Sequence, residues 1–380
     1  MPVIRGGNLS ADSAVRINDK NLVFLDQEKV AEFTRSIVRN GDLIFTSWGT
    51  INQVGLIDGS STYDEYVISN KQMKLTPDPQ IAVPEFLYYL FSGPSMQREI
   101  LDGSIGSSIP GFNLTRLKSL EILLPSIEEQ KQIAYALADA ERLETKLRAL
   151  ISKKQAVKVG VMQQILTGAT LFPGCSGALR NRRLTEVCIK IQDGTHFSPK
   201  LGGSGFKYVT SKNIGRGELK LDGIETISEA EHKKIYARCD AKFGDLLLTK
   251  DGANTGNAAL NTFHEEISLL SSVAFIRCNP AMASEAYIMH YLLSYHGHRQ
   301  IVDAMSGNAI TRLTLQKIRN LMVPMPSVGD QKVIARAFSI MDSEISILRK
   351  RLAKARAIKH GMMQQLLTGR TRLPVRESAA

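Results

Sequence analysis

The longest regular pattern of apolar positions runs through Ile334, Phe338, Met341, Ile345, Leu348, Leu352, Ala355, Ile358, Met362 and Leu366. Steps of four and three residues put these side chains on one face of a helix, and their persistence over four heptads predicts a helix–helix seam. A second stripe, Ile133, Leu137, Ala140, Leu147 and Ile151, is less regular, with Glu144 and Lys154 on the same line. Pro125-Ser126 and Pro326-Ser327 precede the two stripes as a stop and an N-cap, and Gly168 and Gly369 follow as left-handed C-terminal caps. A helix of roughly 38 residues rises about 57 Å. Gly160 and Gly361 fall inside the pattern, where they either permit a close helix contact or mark a bend.

The two helical segments are copies of one another. Residues 160–168 read GVMQQILTG and 361–369 read GMMQQLLTG, and at this offset the ungapped stretch 125–168 keeps 19 identities in 44 positions. Upstream the repeat is fainter: Gly41-Asp42-Leu43-Ile44-Phe45-Thr46 matches Gly244-Asp245-Leu246-Leu247-Leu248-Thr249, and Asn8 matches Asn213. A period near 200 residues means two whole modules in tandem, not a solenoid. Each variable region has strand-like runs (Leu43–Ser47, Leu246–Thr249, Val273–Cys278), glycine-rich loops and a short helical pattern (Glu85–Phe91, Glu285–Leu293). That mixture predicts an α+β fold: two tandem domains of mixed α/β character, joined by two long helices of coiled-coil type.

Composition narrows the function. The 380 residues contain no apolar run of membrane-spanning length, and the start MPVIRGGNLS lacks the pattern of a signal peptide. Four cysteines without a CxxC argue against a disulfide scaffold or a thiolate zinc site and suit a reducing cytoplasm. A formal charge of +11 suits nucleic acid as a partner, and equally a merely soluble basic protein. No GxxxxGK[ST] phosphate loop and no Asn/Asp-Pro-Pro-Tyr element occurs, which counts against a nucleotide hydrolase or a standalone DNA methyltransferase. His296-Gly297-His298 is the only candidate metal pair, and two surface histidines at a helix end explain it better.

Loops at equivalent places in the two modules carry the candidate chemistry. Arg5-Gly6-Gly7-Asn8 corresponds to Ser211-Lys212-Asn213, where glycine allows close backbone approach and Arg5, Asn8, Lys212 and Asn213 offer donors. Thr46-Ser47-Trp48-Gly49-Thr50 corresponds to Thr249-Lys250-Asp251-Gly252-Ala253-Asn254-Thr255. Thr46, Ser47, Trp48 and Thr50, with Lys250, Asn254 and Thr255, therefore stand as DNA-contact candidates at the end of a strand. For Trp48, burial and contact with DNA are balanced. Gly103–Ser108 and Ser306–Arg312 form a third pair, with Asn308 and Arg312 as candidates. Thr195 and His196, in the loop QDGTHFSP, complete the set; His196 suits a DNA contact or a solvated turn equally. From Glu344 to Arg376 nine basic residues face one acid, and they either follow phosphates or solvate the face opposite the seam.

The doubled pattern PSIEEQKQIA…VMQQILTG and PSVGDQKVIA…MMQQLLTG, with the loops VIRGGNL, GDLIFTS and GDLLLTKDGANTG, resembles the specificity subunits of type I restriction-modification systems over nearly the whole chain. The resemblance implies two target recognition domains, each reading one half of a bipartite asymmetric double-stranded DNA site. Residues 1–124 and 182–325 would be those domains, 125–181 the central helix with its linker, and 326–380 the distal helix with a basic tail. The helix seam (Ile133, Leu137, Ala140, Leu147; Ile334, Phe338, Met341, Ile345, Leu348, Leu352) would set the spacer. Implied partners are two modification subunits, which bind S-adenosylmethionine, and restriction subunits, which use ATP and Mg. The chain itself would bind no cofactor or metal, catalyse nothing and work in the cytoplasm away from any membrane. The second module has about 23 residues before Lys207-Tyr208-Val209 that the first lacks, so Met1 is expected to begin inside the first domain.

Overall fold

The computed structural model describes residues 1–10, 15–102, 111–175, 179–305 and 312–374. The chain forms two compact units, one of Met1–Leu150 with Leu348–Ala380 and one of Ile151–Ile347. Each long helix gives one part to each unit.

Those helices are Ile127–Leu166, the central helix, and Val328–Leu366, the distal helix. Both begin and end as their sequences predict. The Ser126 hydroxyl accepts from the Glu129 N–H at 3.3 Å, and Ser327 accepts from Asp330 at 3.2 Å. Gly168 and Gly369 take φ of +76° and +70°. The Thr170 N–H then reaches back to the Gln164 carbonyl and Thr371 to Gln365, closing both helices in the same left-handed motif. The glycines at 160 and 361 do not serve a close helix contact among the described residues: a β-carbon at either would touch nothing within 4 Å, and both helices continue through them.

Glutamine in the Pro-Ser-x-x-x-Gln pattern docks each helix onto its own domain. Gln130 is fully buried; its Oε1 accepts from the Val83 N–H at 2.8 Å, and its Nε2 donates to the carbonyls of Ile81 and Pro125. Gln331 makes the same three bonds, accepting from Ser284 and donating to Met282 and Pro326. One amide side chain thereby satisfies a loop backbone that burial would otherwise leave unpaired.

In the first unit, a sheet of Val23–Phe24, Pro2–Ile4, Glu65–Ile68 and Ile37–Arg39, in that order, contains one parallel pair, Pro2–Ile4 with Glu65–Ile68. A second sheet sets Leu43–Thr46 between Val54–Leu56 and Gln72–Leu75. Helix Pro84–Ser92 packs its aromatic face on that sheet with Ile133, Ala134 and Leu137 of the central helix and Met363, Leu366 and Leu367 of the distal one.

The second unit repeats the plan. Leu246–Thr249 lies between Ala258–Leu260 and Val273–Cys278, and Cys188–Asp193 adds a fourth strand beyond Val273–Cys278. Leu201–Val209 pairs with Glu225–Ile227 and, in parallel, with Ser268–Leu269. Met322–Met325 and Arg180–Arg183 form a separate antiparallel pair. In the first unit Gln72–Leu75, the counterpart of Val273–Cys278, pairs only with Leu43–Thr46 among the described residues. Helix Glu285–Leu293 packs with Ile334, Ala335 and Phe338 of the distal helix and Met162, Ile165 and Leu166 of the central one.

The seam departs from its predicted line at two places. Ile334, Phe338, Ile345, Leu348, Ile133 and Leu137 are buried, while Met341, Leu352, Ala140 and Leu147 are half-buried. Ile358, however, is 51% exposed and Lys359 is buried. After Ala355 the alternation of four and three calls for position 359, and a lysine stands there. Burying it requires an acid, which Glu141 supplies at 2.8 Å. Likewise Glu144, the charge that interrupted the central stripe, is buried against Arg356 of the distal helix and Arg148 of its own. These cations hold the Glu144 carboxyl below the ordinary carboxylate range against the opposing effect of burial. In the second unit Lys154 and Lys158 pair with Glu344 and Asp342. Lower residue numbers on one helix meet higher ones on the other, so the pairing is antiparallel in each unit.

Candidate nucleic-acid interface

Each unit places a loop at the C-terminal end of its central strand, and the same backbone bonds fix both loops. In the first unit the Ser47 N–H donates to Lys71 and its carbonyl accepts from Phe112; in the second, Lys250 does the same with Ser272 and Leu313. Gly49 and Gly252 then turn the chain with φ of +87° and +88°, a left-handed conformation that other L-residues take at a cost. A common scaffold therefore presents different side chains at equivalent places.

In the first unit this scaffold presents an aromatic ring. Trp48 is 57% exposed, so burial in the core, one of the two balanced readings, does not apply. Its ring lies over Gly111, where a β-carbon would approach it to 3.3 Å, and the two residues form an isolated antiparallel bridge. The Thr46 hydroxyl is turned inward to the Thr50 carbonyl at 2.6 Å; Ser47 is buried and Thr50 exposed.

In the second unit the equivalent positions hold charge. The Lys250 ammonium is 3% exposed and sits 3.0 Å from Asp251 and 3.4 Å from Asp193. Asp193 also faces exposed His196 at 3.4 Å, and Asp251 takes Arg312 at 2.9 Å. Three loops, expected separately from the sequence, are thus joined through two aspartates that the sequence reading did not single out. Both precede a glycine, in QDGTHF and KDGANTG, and that recurring Asp-Gly was the signal available. Gly194 is required for the join, because a β-carbon there would come within 1.9 Å of the Leu269 carbonyl oxygen. Thr195 is buried, bonded through its backbone to Leu269 and Ser271.

The remaining candidates divide by burial. Asn8 accepts from the Arg5 N–H and donates to the carbonyls of Asn18 and Lys20, so its amide is used inside its own loop. Asn213 does the same for its loop, accepting from Thr210 and donating to Lys220. Their equivalence is structural: each stitches a turn and leaves Arg5 or Lys212 exposed beside it. Around Arg5 and Asn8 a recess of about 480 Å³ is lined by Gly7, Asn18, Lys20 and Asn21. Asn254 ties its loop to the Ser211 carbonyl, and the Thr255 hydroxyl donates to Gly252. Asn308 lies outside the described residues. The basic run of the distal helix also divides: Arg356 and Lys359 are engaged with acids, and Lys350, Arg351 and Lys354 are exposed.

Among the described residues no three metal-binding side chains gather, and no helix is long and apolar enough to cross a membrane.

Two copies of one α+β module, each with exposed loops over a shared scaffold and each braced by both long helices, define a class of protein. The chain belongs to the family of type I restriction modification DNA specificity domains, whose model matches residues 2–153 and 179–357. The specificity subunit of the type I restriction enzyme MjaVIII from Methanocaldococcus jannaschii is 21% identical over 355 residues, covering 89% of this chain and 81% of that protein. The fold is shared with the S subunit of a type I restriction-modification system from M. genitalium, at 14% identity and a TM-score of 0.62 over 96% of this chain and 91% of that one. It is also shared with a chain solved in work on complex assembly and conformational transition of the type I R-M system, at 17% identity and a TM-score of 0.56, covering 96% and 90%. The role is DNA specificity; a standalone methyltransferase or nuclease and a protein-binding scaffold are not favoured.

Proposed function

We propose that each unit's domain reads one half of a bipartite, asymmetric double-stranded DNA sequence, without catalysis by this chain. The observation that carries this reading is the pair of equivalent loops: the same backbone bonds hold Ser47-Trp48 in one domain and Lys250-Asp251 in the other. A duplicated scaffold with different side chains is what two different half-sites require. Trp48, Arg5 and Thr50 are the exposed contacts of the first domain. His196, Lys212 and Arg312 are those of the second, with Asp193, Lys250 and Asp251 positioning His196 and Arg312.

The two helices set the number of unread base pairs and dock two modification subunits. Those subunits bind S-adenosylmethionine and methylate adenine; restriction subunits, with ATP and Mg, translocate and cut. The complex acts in the cytoplasm. The test is DNA binding by this chain assembled with its modification subunits. Trp48→Ala is expected to weaken binding about tenfold or more and to relax preference in one half-site only. Equal loss on every sequence would show that Trp48 contacts backbone and does not read bases.

A further inference from the structure

The strand Cys188–Asp193 pairs with Val273–Cys278 in a regular antiparallel register, Ile191 opposite Ile276 and Lys190 opposite Arg277. At the next step the register slips, so that Cys278 faces Cys188 and Ile189 is skipped. This is a β-bulge, with one extra residue thrown out of the ladder. Ile189 is 63% exposed as a result, and the thiols of Cys188 and Cys278 come to 3.8 Å of one another. An unbroken ladder would have set Ile189 against Cys278 and separated the sulfurs. Cys278 is buried, Cys188 is half-buried, and neither belongs to the loops or the helix seam. Cys188 is the more exposed of the two, so it is the sulfur that an oxidant reaches, while contact with Cys188 and burial push the Cys278 thiol above its ordinary range.

We propose that Cys188 and Cys278 form an oxidative modification site, at which a hydroperoxide converts the thiol pair into a reversible cross-strand disulfide. The Cys188 thiolate attacks one peroxide oxygen, the O–O bond breaks, and with hydrogen peroxide a sulfenic acid and one water form. The Cys278 sulfur then displaces the hydroxyl from Cys188, its proton leaves with that hydroxyl as a second water, and the S–S bond closes. Each sulfur gives up one electron and the peroxide takes both. A dithiol reductant reverses the link by thiol–disulfide exchange. The sulfurs must close from 3.8 Å to about 2.05 Å. The bond would span 90 positions of sequence and restrain the unfolded chain accordingly. It would also anchor the strand that ends in Asp193, the partner of buried Lys250. The site stands independently of the DNA-reading role.

The experiment uses the reduced full chain treated with hydrogen peroxide. Free thiols are expected to fall by two, peptide mapping to find Cys188 joined to Cys278, and dithiothreitol to restore both. The oxidised form should unfold roughly 10 °C higher. Cys188→Ala should abolish the link and the shift together, whereas Cys175→Ala should leave both. Cys188 and Cys278 remaining fully alkylatable after oxidation, or linked to Cys175 or Cys239 in place of each other, would overturn the assignment.

Discussion

Lys359 donates to Glu141 at 2.8 Å, and the residues that occupy their places in the other copy of the repeat, Asp342 and Lys158, pair with each other. The same acid–lysine contact is thus made in both units with the roles of the helices exchanged: acid on the central helix in one unit, on the distal helix in the other. In the first unit the pair is buried, and Glu141 also accepts from the Tyr89 hydroxyl at 2.8 Å. Burial raises the Tyr89 phenol above its usual range, so it stays a donor. The attraction within such a pair is offset by the cost of taking both charges out of water.

Removing one partner should therefore cost more than removing both. Lys359→Met is expected to destabilise by about 3–5 kcal/mol, because Glu141 is left charged and buried. The double variant Lys359→Met with Glu141→Leu should recover most of that loss. Chemical denaturation of the three proteins measures the difference.

The glutamines of the repeated pattern give a second comparison. Gln130→Leu and Gln331→Leu each remove three bonds from a buried amide to loop backbone, at roughly 2–4 kcal/mol by the cost of leaving such groups unpaired. Equal losses in the two variants are expected, read by hydrogen exchange at Val83 and Ser284, because the two sites have the same partners.

His290 makes the second unit sensitive to acid. It is fully buried, its Nε2 lies 3.2 Å from the Ser339 hydroxyl, and its Nδ1 faces Asp342 at 3.9 Å. Burial lowers its pKa to about 4, with Lys158 adding to the effect and Asp342 opposing it. The unfolded chain takes up a proton near pH 6.5 that the folded one refuses until about pH 4. Its contribution is therefore intact above pH 6.5 and lost as pH falls towards 4, by about 3 kcal/mol. His290→Leu should flatten that part of the stability–pH curve; an unchanged slope would mean that other groups govern it.

Long helices, their caps and the doubling of the module were all legible, because a repeated stripe and a capping residue are local in sequence. Strand Leu246–Thr249 and helix Glu285–Leu293 also fall where the pattern put them. Long-range pairing was not legible. Nothing near Asp193 in sequence announces Lys250, and nothing near Lys359 announces Glu141; both contacts depend on segments brought together only by folding. For the same reason Asn8 and Asn213 were visible as equivalent, but not as residues that spend their amides inside their own loops.

Lys250 and Trp48 separate structural from recognition roles. Lys250→Met should destabilise the second unit by about 3–5 kcal/mol, since Asp193 would lose its buried counter-charge. Trp48→Ala, at an exposed ring, should cost under about 1 kcal/mol in stability while weakening DNA binding. Thermal unfolding beside a binding titration distinguishes the two.

The most direct test is to express this chain with its modification subunit and map methylated adenines across a genome by single-molecule sequencing. Two fixed, unequal half-sites separated by a constant number of unread bases are expected, and Trp48→Ala should relax one half and leave the other intact. A single continuous motif, or relaxation of both halves together, would contradict the assignment of one half-site to each domain.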